Sequence, residues 1–294
     1  MSDFLNSLKT HVKLADPVQR LILINVALFL VLRLLNVITM LFMVDTFSFP
    51  YISYWLAVPA DPSQLLFRPW TIISYMFYHW EFFHLFFNML LLFWMGKIFY
   101  EYLGAQKLIS TYILGGICGA VFYIAAYNLF PLFSNHLAAS FALGASASVL
   151  AITIAAATLL PDYPVQLILI GPVKLKWLAL IIVLSDLISI GGSNAGGHLA
   201  HLGGAFYGFI YIRQLRSGRD ISAWFTKLIT WLRPGRKSKM KVEYGNKFTD
   251  DDFNMIRKSR QERLDSILDK ISKSGYGSLS QDEKDFLFRA SKDS

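Results

Sequence analysis

Apolar residues run in long blocks through the first two thirds of the chain and then stop. Six stretches have the length and character of membrane spans: 18–41, 82–101, 107–129, 141–160, 175–191 and 198–214. A spanning helix needs about 20 mostly apolar residues, because lipid offers the backbone no hydrogen-bond partners. Asp16-Pro17 opens the first stretch as an N-cap followed by proline at the first helical position. That stretch is too long for a signal-peptide core and no small-residue cleavage site follows, so it reads as a retained span. Arg33 sits in its middle, where a charge costs at least about 2.5–3.5 kcal/mol. Either Arg33 snorkels or the helix ends early.

Charge placement orients the spans. Lys9, Lys13 and Arg20 precede the first, Lys97 and Lys107 lie between the second and third, and Lys174 and Lys176 lie between the fourth and fifth. The alternate loops hold only Arg68. Positive charge marks the cytoplasmic side, so both termini read as cytoplasmic and loops 42–81, 130–140 and 189–197 as external. The aromatic-rich loop 42–81 suits the headgroup layer. A part in substrate access is the other reading.

Composition sharpens this division. Of 294 residues, 54% are hydrophobic and 16% charged, and mean hydropathy is +0.44; soluble domains average about 25% charged. Residues 215–294 carry 18 of the 28 basic and 12 of the 20 acidic side chains. The resulting organisation is a cytoplasmic segment 1–17, a six-span domain 18–214, a basic juxtamembrane linker 215–249 and a small helical tail 250–294. The fold class is all-α. The basic excess follows the last apolar block, which suits an anionic inner leaflet rather than nucleic acid. Cys118 is alone, so no internal disulfide forms.

Polar residues inside spans call for a reason. His79, His84 and Asn88 open the second span, Ser146 opens the fourth within Gly144-Ala145-Ser146-Ala147, and His198 and His201 open the sixth. These three spans run in the same direction. At 1.5 Å rise per residue, His84, Ser146 and His201 fall in one layer roughly 6–9 Å below the outer surface. Ala147, Ala151 and Ala155, with Gly204 and Gly208, allow close helix approach. A serine hydroxyl is a weak nucleophile until a base takes its proton. His201 is typed for that base, with Asn88, His84 and the Ser146 backbone N–H typed as oxyanion donors. No acid falls in the same layer; Asp186 and Glu81 are weak helpers, so a two-residue dyad is the simplest arrangement. The bland alternatives are a serine that back-bonds to its own helix and histidines that pack. A metal site on His79, His84, His198 and His201 is a further one.

The ordered set His79-xxxx-His84-xxx-Asn88, Gly144-Ala145-Ser146 and Ala200-His201-Leu202-Gly203-Gly204 with Gly208 resembles the rhomboid family of intramembrane serine proteases. The likeness covers roughly residues 20–214 and includes Arg68-Pro69-Trp70 and Glu101-Tyr102-Leu103-Gly104-Ala105. It implies Ser146 as nucleophile and His201 as general base. It implies His84, Asn88 and the Ser146 N–H as oxyanion ligands, and a structural or water-handling role for His79. His198 has no family role and reads as loop-facing. No metal or organic cofactor is implied. The expected partners are single-pass transmembrane protein substrates and the bilayer, and the expected location is a bacterial plasma membrane. The resemblance further implies that loop 189–197 caps the site, its glycines suiting a mobile lid, with the fifth span as a lateral gate. Two positions depart from the family pattern: Ala147 where glycine is frequent, and Leu150 where an aromatic residue often packs on the histidine. A catalytically inactive relative that binds transmembrane helices is the main rival, and a transporter or channel the second.

Overall fold

The computed structural model describes residues 15–167, 171–192, 194–232 and 250–292. They divide into a larger unit, which holds the described residues up to 214 and 220–232, and a smaller one, which holds 215–219 and the described C-terminal residues. The larger unit begins with α1, Pro17–Leu41. Asp16 caps it as expected, accepting from the Gln19 backbone N–H at 2.9 Å while the Gln19 side chain accepts from the Asp16 N–H. Lys97 pairs with the Asp16 carboxylate. Arg33 reaches toward the loop after α1, with its guanidinium 4.5 Å from the centre of the Trp80 ring. A cation–π contact thus accounts for the awkward charge.

Next comes α2, Phe82–Leu129, a 48-residue helical run broken at Gly104, where φ is 77° and ψ 175°. The expected spans 82–101 and 107–129 are its two halves, and a single non-helical glycine replaces the expected loop. α3 covers Ser146–Leu159, α4 Leu175–Ser189 and α5 Ala195–Arg216. α1 and α2 are long and apolar enough to cross a membrane by length and composition; α3 is apolar but shorter.

The all-α expectation needs one correction. Two small antiparallel ladders are present. β1 (Val58–Pro59) pairs with β2 (Phe141–Ala142), and β3 (Pro164–Leu167) pairs with β4 (Gly171–Lys174). The first ladder ties loop 42–81 to the segment before α3, helped by the Gln64 amide donating to the Ala138 carbonyl at 2.9 Å. Loops 42–81 and 130–140 therefore lie at the same end, as the charge pattern requires. The second ladder joins α3 to α4. Beside it, hydrogen bonds from Lys176 and Lys174 hold the exposed Asp162 carboxyl below its usual range.

Loop 42–81 is folded rather than extended. Short helices cover Phe49–Leu56, Pro62–Phe67 and Thr71–Ser74, and Trp55 stacks on Trp70. Its inner edge is anchored in the protein. Tyr112 of α2 donates to the Met76 carbonyl at 2.9 Å and receives a hydrogen bond from Asn25 of α1 at 3.2 Å. Tyr75 donates to the Gly116 carbonyl at 2.5 Å. Within the expected basic juxtamembrane linker 215–249, a helix α6 forms over Ala223–Leu232; positions 233–249, and most of segment 1–17, lie outside the described residues. The C-terminal unit contains α7 (Asp250–Ser274) and α8 (Gln281–Lys292), separated at Gly275 and joined by Lys270–Glu283.

Candidate functional site

A cavity of about 940 Å³ lies where loop 42–81, α2, α3 and α5 converge. Its lining includes Ser146, His201, His84 and Asn88, together with Trp80, Glu81, Leu150 and Asn194. The four residues expected to act as nucleophile, base and oxyanion donors thus line one space, whereas His79 and His198 do not line it.

Ser146 is the first residue of α3, not five residues into a span as the sequence reading placed it. Its backbone N–H consequently has no intrahelical partner and points out of the helix start. The turn that delivers it is tightly specified. Gly144 has φ 111°, a conformation that L side chains rarely adopt. A Cβ there would lie 2.6 Å from His84 Cε1, so glycine is what lets the imidazole lie against the turn. The Gly144 N–H donates to the Tyr75 carbonyl at 2.9 Å. The Ala145 N–H donates to His79 Nε2 at 3.1 Å. His79 is fully buried and acts as a structural prop. Asn88 donates to the His84 carbonyl, one turn back, at 2.8 Å; its amide has a second N–H.

α3 and α5 meet backbone to backbone. A Cβ on Gly204 would lie 2.0 Å from the Ala147 carbonyl oxygen, and one on Gly208 2.2 Å from that of Ala151. This contact sets the separation of Ser146 and His201. No hydrogen bond joins their side chains among the described contacts.

The structure corrects the expectation that no acid accompanies His201. Asp186 of α4 is buried, and its Oδ1 lies 2.8 Å from His201 Nδ1 and 2.7 Å from His198 Nδ1. An acid does stand behind His201, and His198 is engaged rather than loop-facing. These three residues group ligand-type atoms closely, whereas the four histidines considered from the sequence do not form that cluster. The signal was an acid in an apolar stretch, which is expensive without a partner.

A rhomboid domain model matches residues 67–217, just over half of the chain, including Ser146, His201, His84, Asn88 and Asp186. The chain belongs to the rhomboid family. Residues 248–293 match a second model, a family of unknown function (DUF6576). Among curated proteins, the chain is 31% identical over 159 residues to RHOMBOID-like protein 12, mitochondrial, of Arabidopsis thaliana. It is 26% identical over 168 residues to Presenilin-associated rhomboid-like protein A, mitochondrial, of Danio rerio. The matches cover 51% and 55% of the chain and 47% and 40% of these relatives, so the chain spans about half the length of each or less.

Within the rhomboid domain, the two departures from the family pattern have structural settings. The Ala147 methyl sits where Gly119 of α2 leaves room, since a Cβ on Gly119 would lie 2.5 Å from it. Leu150 lines the cavity. The lid expectation is narrowed. Gly196 and Gly197 belong to the first turn of α5, and Gly196 packs so closely on Tyr123 that a Cβ would lie 2.8 Å from its ring. Gly196 serves packing, while Gly197 makes room for the Asn194 side chain. Only Gly191 and Gly192 remain in the connection itself, and position 193 lies outside the described residues.

Proposed function

We propose that this rhomboid is an intramembrane serine endopeptidase in which Ser146 attacks the peptide carbonyl and His201 takes the serine proton. The observation that carries the reading is the convergence of Ser146, His201, His84 and Asn88 on one cavity. As Ser146 Oγ bonds to the carbonyl carbon, its proton passes to His201 and negative charge moves to the carbonyl oxygen. His84, Asn88 and the Ser146 N–H supply donors for that oxygen. His201 then protonates the leaving amine, and water hydrolyses the acyl-enzyme by the reverse order of transfers. The residues need no metal or organic cofactor for these steps.

In this reading residues 18–214 cross the membrane six times, counting α2 as two spans, with both termini in the cytoplasm of a bacterium. α3 has 14 residues, roughly 21 Å of helix against a hydrocarbon core of about 30 Å. A helix this short can begin inside the bilayer, and in this reading Ser146 lies below the outer surface. Substrates would be single-pass proteins whose transmembrane helix unwinds near its outer end, because a helical carbonyl is already engaged in its own hydrogen bond.

The test is cleavage of single-pass reporters in proteoliposomes, with transmembrane segments carrying or lacking Gly and Pro near the outer end. Wild type should release products cut in or beside the segment of the Gly/Pro reporters, and Ser146→Ala none. Reporters captured intact by both proteins would support the helix-binding alternative instead.

A further inference from the structure

We propose that Asp186 is a positioning residue for His201, holding the imidazole with its proton on Nδ1 so that Nε2 faces the cavity as proton acceptor. The catalytic consequence rests on the protease reading; the structural content does not.

Three observations carry it. The first is order in space. His201 lines the cavity, whereas neither Asp186 nor His198 does, so the carboxylate stands behind the imidazole as seen from Ser146. The second is the contact itself. Asp186 Oδ1 lies 2.8 Å from His201 Nδ1. A neutral imidazole carries one proton, and the nitrogen without it presents a lone pair. A lone pair on Nδ1 would face a carboxylate oxygen at hydrogen-bond distance, so electrostatics selects the Nδ1–H form. The Nε2 lone pair is then left for the Ser146 proton, and the carboxylate stabilises the imidazolium that results. The third is the setting of the acid. α4 buries only Leu175, Ala179 and Asp186 of its 15 residues. The Asp186 side chain is 9% exposed, and its Oδ2 has no partner among the described residues. An ionisable group so placed is expensive, and the two imidazoles are the partners that it has. His198 shares Oδ1 and so helps to fix the carboxylate without facing the cavity.

The experiment uses the full chain, labelled with ¹⁵N-histidine, in detergent micelles. His201→Gln assigns the His201 ring signals. In wild type the His201 ring should show a protonated Nδ1 and an unprotonated Nε2. In Asp186→Ala, checked for folding by size exclusion and melting, that single form should give way to a mixture. The rate of fluorophosphonate labelling should fall by roughly 10²-fold or more, as when the acid of a serine triad is disabled. Asp186→Glu should recover part of the rate. His198→Gln should keep the His201 ring protonated on Nδ1, because the Asp186 carboxylate still reaches it. A wild-type ring protonated on Nε2, or an Asp186→Ala rate within threefold of wild type, would overturn the proposal. So would a stoichiometric transition metal that co-purifies with wild type and is lost from Asp186→Ala, since the cluster would then be a metal site. If wild type does not label but shows the Asp186-dependent Nδ1–H form, the positioning stands and the protease reading falls. If Asp186→Ala does not fold, the wild-type ring spectrum decides alone.

Discussion

α3 and α4 flank the same site and are built in opposite ways. Of α3's 14 residues, 12 are buried, and its backbone touches α5 at Ala147 and Ala151. α4 buries three of 15, and Trp177, Ile181, Leu184, Leu187 and Ile188 lie on its exposed surface. The nucleophile candidate thus comes from the most constrained helix of the domain. The acid comes from a helix that the rest of the protein holds loosely. Position is set by packing on one side and by a single polar cluster on the other, so mutations on the two sides should fail differently.

The sharpest contrast is Gly204→Val. The first atom added would lie 2.0 Å from the Ala147 carbonyl oxygen, which belongs to backbone and cannot swing away. Overpacking costs about 1–3 kcal/mol where side chains can adjust, and more is expected here. Size-exclusion profiles should show loss of the folded peak. A folded variant with wild-type melting would break the account of the α3–α5 contact.

Gly144→Ala should act more locally. Its φ of 111° and the His84 ring at 2.6 Å predict a stability loss of about 1–2 kcal/mol from backbone strain. Probe labelling should fall further than melting does, because the turn carries Ser146. Equal losses in both would mean that the turn matters for folding alone.

On α4 the effects should shrink. Leu184 is 45% exposed, so Leu184→Ala should change stability by no more than about 0.5 kcal/mol. A loss of several-fold that size would mean that α4 is packed more tightly than its burial shows. Smallest of all should be Asp162→Asn at the β3–β4 end. The two lysines depress that carboxyl. Any stability it adds is therefore present above the ordinary carboxylate range and lost as pH falls through the depressed value. Exposed pairs contribute little, so the melting curves of variant and wild type should coincide from pH 7 downward.

The sequence was most informative where a residue type is rare in its surroundings. His84, His201 and Asn88 in apolar stretches, and Ser146 within Gly144-Ala145-Ser146, are such residues, and all four line the cavity. Depth arithmetic put His84 and His201 in one layer with Ser146, but it misjudged where α3 begins. Segment 141–145, strand β2 and the turn after it, is as apolar as the helix that follows, so periodicity gave no boundary. Asp186 was visible as an oddity, yet its partners were not. α4 is apolar on every face, and hydrophobic pattern then says nothing about which side points inward. The glycines of 189–197 misled for a related reason. Glycine permits both mobility and close packing, and only the Tyr123 ring against Gly196 shows which applies. Arg33 raised the opposite problem, a charge whose partner, Trp80, is contributed by the folded loop 42–81.

The central claim is that Ser146 is made reactive by His201. The most direct measurement is the site of fluorophosphonate attachment, mapped by tandem mass spectrometry on the folded protein in mild detergent. The account predicts an adduct on Ser146 in wild type and none in His201→Ala. An adduct on a different serine, or equal labelling of Ser146 with and without His201, would contradict it.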